Sequence, residues 1–414
     1  MIQVCDAIMG SGKSSAAITY MNEHKSEKFI YITPYLDEVE RVKTSCKGMR
    51  FIEPSEKIAE YHFKKCEHTA ALINKGRNIA TTHQAFKRYT SDMLDDIRKH
   101  GYTLIIDENI DFLERYDIHP DDLQLAIESG LIKSENGSYC INRDDYHGTA
   151  FRELFRFLKT RNLVDISDSD SSDIFYWILP ADLLLSFKDV FVLTYMFEGQ
   201  SLHHYLHMSN VPYKYIGVKK YEDGNYRFTD FAGYVPDYVK DLDSMIHIID
   251  NERMNSVGDN KNALSMNWFN TKDDLVLQLK NNTINCMNNM WKGVPPSQKL
   301  WGTYSGSRHL ISSKGYIRSF LTFNAKATND YRKRDHLVYL ANIFMNVSEK
   351  IYYRNHGIEV DDNLYALSIM LQWIWRSAIR DGKEIYLYIP SSRMRNLLID
   401  WINKVSKGGE AHAA

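Results

Sequence analysis

Long apolar runs are missing from this 414-residue chain. None approaches the roughly 18 residues that a membrane-spanning helix requires, and no secretory signal is readable, so no membrane role and a cytoplasmic setting are expected. Cysteine is sparse and scattered. Cys5, Cys46, Cys66, Cys140 and Cys286 form no C-x-x-C pair, which argues against a zinc site and a disulfide framework and fits a reducing compartment. An excess of one charge is lacking too. With a formal net charge of −2, any nucleic-acid contact must come from a local basic surface. No repeat recurs at solenoid periods. What is present is 44% hydrophobic residues, ample for a sizeable core, on a length that suggests about two or three domains.

The most informative stretch is Ala7-Ile8-Met9-Gly10-Ser11-Gly12-Lys13-Ser14, directly after the apolar run Ile2–Cys5. It reads as a strand feeding a phosphate-binding loop of the form G-x-x-x-x-G-K-[ST]. In such a loop backbone N–H groups wrap the phosphates, the lysine reaches the β/γ oxygens and the hydroxyl holds Mg²⁺. Ala7 replaces the first glycine, and the resulting A-x-x-G-S-G-K-[ST] form resembles that of helicases and translocases. Gly10, Ser11, Gly12, Lys13, Ser14 and Ser15 are therefore the expected nucleotide-binding set, with ATP as ligand and Ser14 on the metal. A helix is expected from Gly12–Lys13 onward, its positive dipole end facing the anion.

Strand-like runs alternate with helical periods as a parallel α/β architecture requires. Expected strands are Ile2–Cys5, Phe29–Thr33, Asn78–Thr81, Thr103–Ile106 and Asp189–Leu193, with helices at Leu36–Ser45 and His68–Asn74. From Ile110 to Leu185 the pattern reads as a helix-rich insertion, with the acidic, Ser-rich stretch Asp165–Asp173 as a loop. A second α/β unit is expected from about Pro212 to Ile402. Its strands are placed near Tyr213–Val218, Met245–Ile249, Lys299–Thr303, Arg318–Phe323 and Glu384–Ile389, and its last helices at Asn363–Arg380 and Arg393–Val405.

The second chemical signal is Leu104-Ile105-Ile106-Asp107-Glu108, an apolar strand ending in paired carboxylates. At such a strand end Asp107 can hold Mg²⁺, while Glu108 can position and deprotonate the attacking water. With these motifs in place the chain resembles the phage-encoded DEAD-like helicases of superfamily 2 over most of its length. Thr33-Pro34-Tyr35 through Arg41 resembles motif Ia, and Thr81-Thr82-His83-Gln84-Ala85-Phe86 the next backbone-contacting motif. Asp107-Glu108-Asn109-Ile110 stands where those helicases have D-E-A-D or D-E-x-H. Leu193-Thr194-Tyr195 stands at the S-A-T position, which implies that Thr194 couples hydrolysis to domain movement. Phe323–Asn329 resembles motif V, and Gln372-Trp373-Ile374-Trp375-Arg376-Ser377-Ala378-Ile379-Arg380 resembles motif VI, the usual source of an arginine finger. On one helix, Gln372, Arg376 and Arg380 would share a face. Which arginine acts as the finger is open.

The resemblance implies two RecA-like P-loop domains with parallel sheets, residues 1–208 with a helical insertion at about 110–185, and residues 209–414. It implies Mg²⁺-dependent ATP hydrolysis coupled to translocation on, or unwinding of, nucleic acid, with DNA placed ahead of RNA and the choice between them left open. The implied setting is replication or recombination in a phage-infected bacterial cytoplasm, with replication proteins as partners. The loop begins too near the N-terminus for an upstream adenine-reading Q motif. Two other readings stay open: a double-strand translocase without unwinding, although no nuclease carboxylate cluster follows the motor, and an ATP-gated loader whose hydrolysis is a timer. Several basic and aromatic residues admit either a structural or a nucleic-acid role: His83, Lys87-Arg88, Tyr331-Arg332-Lys333-Arg334, Trp301, Tyr304, Trp373, Trp375, Arg393 and Arg395.

Overall fold

The computed structural model describes residues 1–61, 64–135, 138–143, 145–159, 162–165, 175–231, 236–323 and 331–406. β1 (Ile2–Asp6) is buried along nearly its whole length, the mark of a parallel strand covered on both faces, and it leads into the helix Lys13–Glu23. β2 (Lys28–Thr33), β3 (Phe51–Ile52), β4 (Asn78–Thr82) and β5 (Tyr102–Asp107) follow, interleaved with the helices Leu36–Ser45, Lys65–Asn74 and Ser91–His100. Next come β6 (Leu113–Tyr116), β7 (Ile132–Glu135), β8 (Ser138–Ile141), β9 (Asn162–Asp165) and β10 (Phe175–Ile178). The chain continues through β11 (Asp189–Thr194), β12 (Tyr213–Lys220) and β13 (Tyr226–Thr229) to β14 (Ile246–Ile248), β15 (Lys299–Gly302), β16 (His336–Tyr339) and β17 (Ile385–Tyr388). No described helix is long and apolar enough to cross a membrane.

The first sheet runs β13-β12-β1-β11-β5-β2-β4-β3 and is parallel at every pairing except the β12–β13 hairpin. Register sets Asp6 beside Thr194 and Leu193 beside Asp107. The polar ends of β1, β11 and β5 thus meet at one carboxyl edge, where parallel α/β sheets bind ligands. Among the described residues, one compact unit takes Met1–Asp6, the described part of 12–234, and Asn346–Val360; the other takes Ala7–Ser11, 235–345 and 361–406.

Three sequence expectations change. The strand at Tyr213–Val218, expected to open the second unit, instead pairs in parallel with β1, so the first sheet extends past residue 208. The insertion after Glu108 is built on a sheet and is not mainly helical: β6-β10-β9-β8-β7 is antiparallel throughout. Its strands have four residues each, too short to display a two-residue alternation, and β10 is buried at all four positions. Leu123, Leu154, Phe155, Leu163, Phe175 and Trp177 form a core of its own. Asp165 ends β9, and the remainder of the acidic stretch, 166–173, lies outside the described residues. Finally, Arg318–Phe323 is not a strand. Ile317–Ser319 is a 3-10 turn and Phe320 forms an isolated bridge to Trp301, while the unanticipated β16 completes a parallel sheet ordered β14-β17-β16-β15.

The second unit is built around Trp268, Trp291, Trp301, Tyr316 and Tyr388. Trp301 donates its indole N–H to the Tyr316 carbonyl at 3.0 Å, which makes it a core residue. A polar hub sits beside this core. Fully buried Asn342 donates to the carbonyls of Lys261 (2.8 Å) and Ala263 (3.0 Å) and accepts from Arg393 Nη1 at 2.9 Å. Asn342→Leu keeps the branched shape but strands two carbonyls and takes one of several acceptors from Arg393, which retains Asn363 and the carbonyls of Ile343 and Asp362. At about 1–3 kcal/mol for each orphaned buried group, a loss of about 3 kcal/mol is expected, read as a lowered urea midpoint with unchanged slope. An unaltered midpoint would show that water replaces the amide without cost.

Candidate functional site

The loop between β1 and the helix Lys13–Glu23 depends on two glycines. Gly10 and Gly12 hold φ of +83° and +93°, in the left-handed region that side chains rarely adopt. A Cβ on Gly12 would lie 2.1 Å from the Tyr226 ring, and one on Gly10 would lie 3.0 Å from Tyr238 Oη. The loop is closed by Ser11 N–H donating to the Ile8 carbonyl at 3.2 Å. The helix then starts with no side-chain cap and no acidic residue in its first turn. The first N–H groups of a helix have no intrahelical acceptor, so this end suits an anion. Lys13 is largely buried beside it.

Asp107 at the end of β5 reaches the first turn of this helix. Its carboxylate accepts from Ser14 Oγ at 3.1 Å and from Tyr31 Oη at 2.7 Å, and it is buried. Burial raises the Asp107 pKa against the opposing pull of the Tyr31 and Ser14 hydroxyls and the charges of Lys13 and Arg41. Burial also pushes the Tyr31 phenol well up, with the Asp107 charge adding to it. Glu108 follows at φ +66°, an uncommon conformation for a side-chain-bearing residue, pinned by its N–H donating to the Leu193 carbonyl at 3.0 Å. Strain of this sort concentrates at functional positions.

These residues fit a nucleotide with Mg²⁺. Ser11 Oγ is completely buried with no hydrogen-bond partner among the described residues, an acceptor or donor awaiting a polar ligand. The Ser14 hydroxyl and the Asp107 carboxylate offer adjacent hard oxygens. No group of three His, Cys, Asp or Glu that could hold a metal occurs among the described residues. Mg²⁺ is usually held by few protein oxygens, with phosphates and water completing its shell, and Ser14 and Asp107 would supply two such oxygens.

A surrounding shell was only partly visible in the sequence. His83 Nε2 contacts the Asp107 carbonyl at 3.0 Å, and burial lowers its pKa to about 3, so the ring is neutral and serves to position β5. Asp6, not singled out by sequence, accepts from the N–H groups of Met196 (2.8 Å) and Phe197 (3.1 Å) and shapes the turn after β11. Thr194 is buried, its hydroxyl donating to Gln200 Oε1 at 2.8 Å, while Gln200 Nε2 donates to the Tyr195 carbonyl. A charged residue closing an apolar strand was the available signal for Asp6, the same signal that exposed Asp107. Nothing local marks Tyr31 or Gln200. Ser15 Oγ accepts from Arg41 Nη2 at 2.8 Å, and Arg41 also pairs with Glu38 at 2.6 Å.

The chain is 37% identical to the SPbeta prophage-derived uncharacterized protein YonV of Bacillus subtilis (strain 168), over 97% of this chain and 98% of that protein. The chain belongs to the YonV family. A model of the YonV C-terminal Rossmann-like domain matches residues 240–402. Among solved structures, an apo XPD is 13% identical with a TM-score of 0.48, covering 96% of this chain and 95% of that one. Xpd4 of S. tokodaii is 12% identical with a TM-score of 0.42 over 96% and 93%.

The YonV C-terminal domain carries the remaining candidates and corrects the shared-face expectation. Its helix Asp362–Ile374 contains Gln372 and is capped by Trp375; Arg376 follows the helix and Arg380 lies in the 3-10 turn Ala378–Asp381. The break is fixed by Trp373 and Trp375, whose indoles donate to the Leu321 carbonyl and Tyr238 Oη at 3.1 Å each, and by Ala378 N–H donating to the Arg334 carbonyl. Gln372, Arg376 and Arg380 therefore do not line one helix face. Arg334 donates to the carbonyls of Pro296 and Lys299, Arg393 to Asn342, Asn363 and nearby carbonyls, and Arg395 to those of Ile389 and Pro390. These arginines are structural. In the first unit Lys87 is buried and pairs with Glu114 at 3.4 Å. The motif V-like residues 324–329 lie outside the described residues.

Proposed function

We propose that this YonV-family protein is a Mg²⁺-dependent ATP hydrolase, acting as a helicase or translocase on DNA through two RecA-like domains. The observation carrying this reading is the approach of Ser14 Oγ to the Asp107 carboxylate at 3.1 Å beside a loop with two left-handed glycines. In this reading Gly10, Ser11, Gly12, Lys13, Ser14 and Ser15 bind the phosphates. Ser14 and Asp107 hold Mg²⁺, which supplies charge neutralisation on phosphate oxygens. Glu108 orients the attacking water and takes its proton. Thr194 passes the change to the turn after β11. The transition-state cation is assigned to Arg376, with Arg380 as its alternative. A bacterial host cytoplasm and replication proteins as partners are part of the same proposal, which the prophage origin of the relative supports.

The insertion favours a second reading. A five-stranded sheet with its own core directly after Glu108 is a surface for a protein partner, as an ATP-gated loader needs. The test is ATP turnover measured alone and with single-stranded DNA, duplex DNA and RNA. A motor on DNA is expected to show at least about tenfold stimulation by DNA; stimulation by duplex alone points to a double-strand translocase. Turnover indifferent to every nucleic acid would overturn the motor in favour of the loader.

A further inference from the structure

We propose that Tyr238 is a positioning residue, tying the phosphate loop to the segment that carries Arg376 through two consecutive hydrogen bonds. The inference rests on the ATP-site reading of that loop. Tyr238, in the 3-10 turn Asp237–Asp241, donates its hydroxyl to the Met9 carbonyl at 3.1 Å. The same oxygen accepts from Trp375 Nε1 at 3.1 Å. Met9, Tyr238 and Trp375 all belong to the second compact unit. Trp375 is buried and immediately precedes Arg376, and its ring packs edge-on against Trp401 with centroids 5.4 Å apart.

The physical consequence follows from peptide geometry. The Met9 carbonyl and the Gly10 N–H belong to one planar unit, and no cis peptide occurs among the described residues, so they point in opposite directions. By holding the carbonyl, Tyr238 turns the Gly10 N–H away from itself and removes the freedom that Gly10 would otherwise give this peptide. Gly10 also leaves the space for it, since a Cβ there would sit 3.0 Å from Tyr238 Oη. Trp375 in turn orients the hydroxyl: its N–H occupies one lone pair and leaves the proton for Met9. One hydroxyl thereby links the loop to the backbone that enters Arg376. Neither a packing role nor a solvated tyrosine accounts for both bonds.

The test compares Tyr238→Phe, Trp375→Phe and the double variant. Tyr238→Phe keeps the ring and removes both bonds, whereas Trp375→Phe removes only the bond to Tyr238 Oη. Loss of one buried hydrogen bond corresponds to roughly five- to tenfold, so Y238F is expected to lower kcat for ATP about tenfold with KM within about twofold. W375F is expected to have a smaller effect, and the double variant to be no worse than Y238F, because the bonds act in series. A nucleotide-free readout accompanies this: amide hydrogen exchange in residues 8–14 should quicken about tenfold in Y238F. Should Y238F lose its melting transition, W375F decides by the same exchange measurement. Wild-type-like turnover and exchange in Y238F, or losses that multiply in the double variant, overturn the relay. Absence of ATP turnover and binding in the wild-type protein instead overturns the site reading, and the relay with it.

Discussion

Lys13→Ala is expected to abolish ATP turnover, by at least about 10²–10³-fold, and to weaken nucleotide binding as well. The magnitude follows from removing one preorganised charge from a water-poor site where phosphate charge develops. Lys13 is the first residue of its helix and largely buried, so its charge would act on a bound phosphate with little solvent screening. Its loss also removes a charge that opposes the burial-driven rise of the Asp107 pKa. The folded state of the variant is checked by its melting transition, and binding by titration with a fluorescent ATP analogue. A folded variant that still hydrolyses ATP near the wild-type rate removes the loop from the site. Lys13→Arg is expected to rescue binding in part and turnover poorly, since the larger planar cation does not fit the position of a compact ammonium.

The parts of the architecture legible in the sequence are those whose signal is local and long. β1, β2, β4, β5 and β11 are mostly buried strands of five or six residues, each close to its expected bounds, and Leu36–Ser45 is a helix over its full expected length. The loop was legible because glycine, lysine and serine stand at fixed spacing between a strand and a helix, and the structure brings its Ser14 to Asp107. What failed was pairing information. Tyr213–Val218 reads as a strand, but its neighbour across the ladder is Ile2–Cys5, which no local pattern encodes. Tyr31 meets Asp107 only because β2 and β5 pair in one register. The insertion reads as helical because four-residue strands carry too few alternations, and β16 was missed for the same reason. At Gln372–Arg380 the apolar period persists past the helix end. Two tryptophan N–H bonds made outside the helix end it there, and those partners are remote in sequence.

Glu108 offers the sharpest separation of stability from activity. Glu108→Gln preserves shape and leaves Asp107 with its Ser14 and Tyr31 contacts, but it cannot accept the proton of the attacking water. ATP binding is therefore expected to persist while turnover falls by about 10²–10⁴-fold, the span of a general base. Glu108→Gly adds the second half of the argument. At φ +66° a side-chain-bearing residue pays a strain of order 1 kcal/mol or more, which glycine does not. Against this stands glycine's greater freedom in the unfolded chain, roughly 0.5–1 kcal/mol. The melting temperature of Glu108→Gly is expected to stay at or above that of the wild type while turnover is lost as in Glu108→Gln. Thermal unfolding and single-turnover hydrolysis on the same samples decide it. Full activity in Glu108→Gln excludes it as the base; joint loss of binding and turnover with altered Mg²⁺ dependence reassigns it as a metal ligand. A melting temperature well below wild type in Glu108→Gly would show that the carboxylate stabilises the turn it strains.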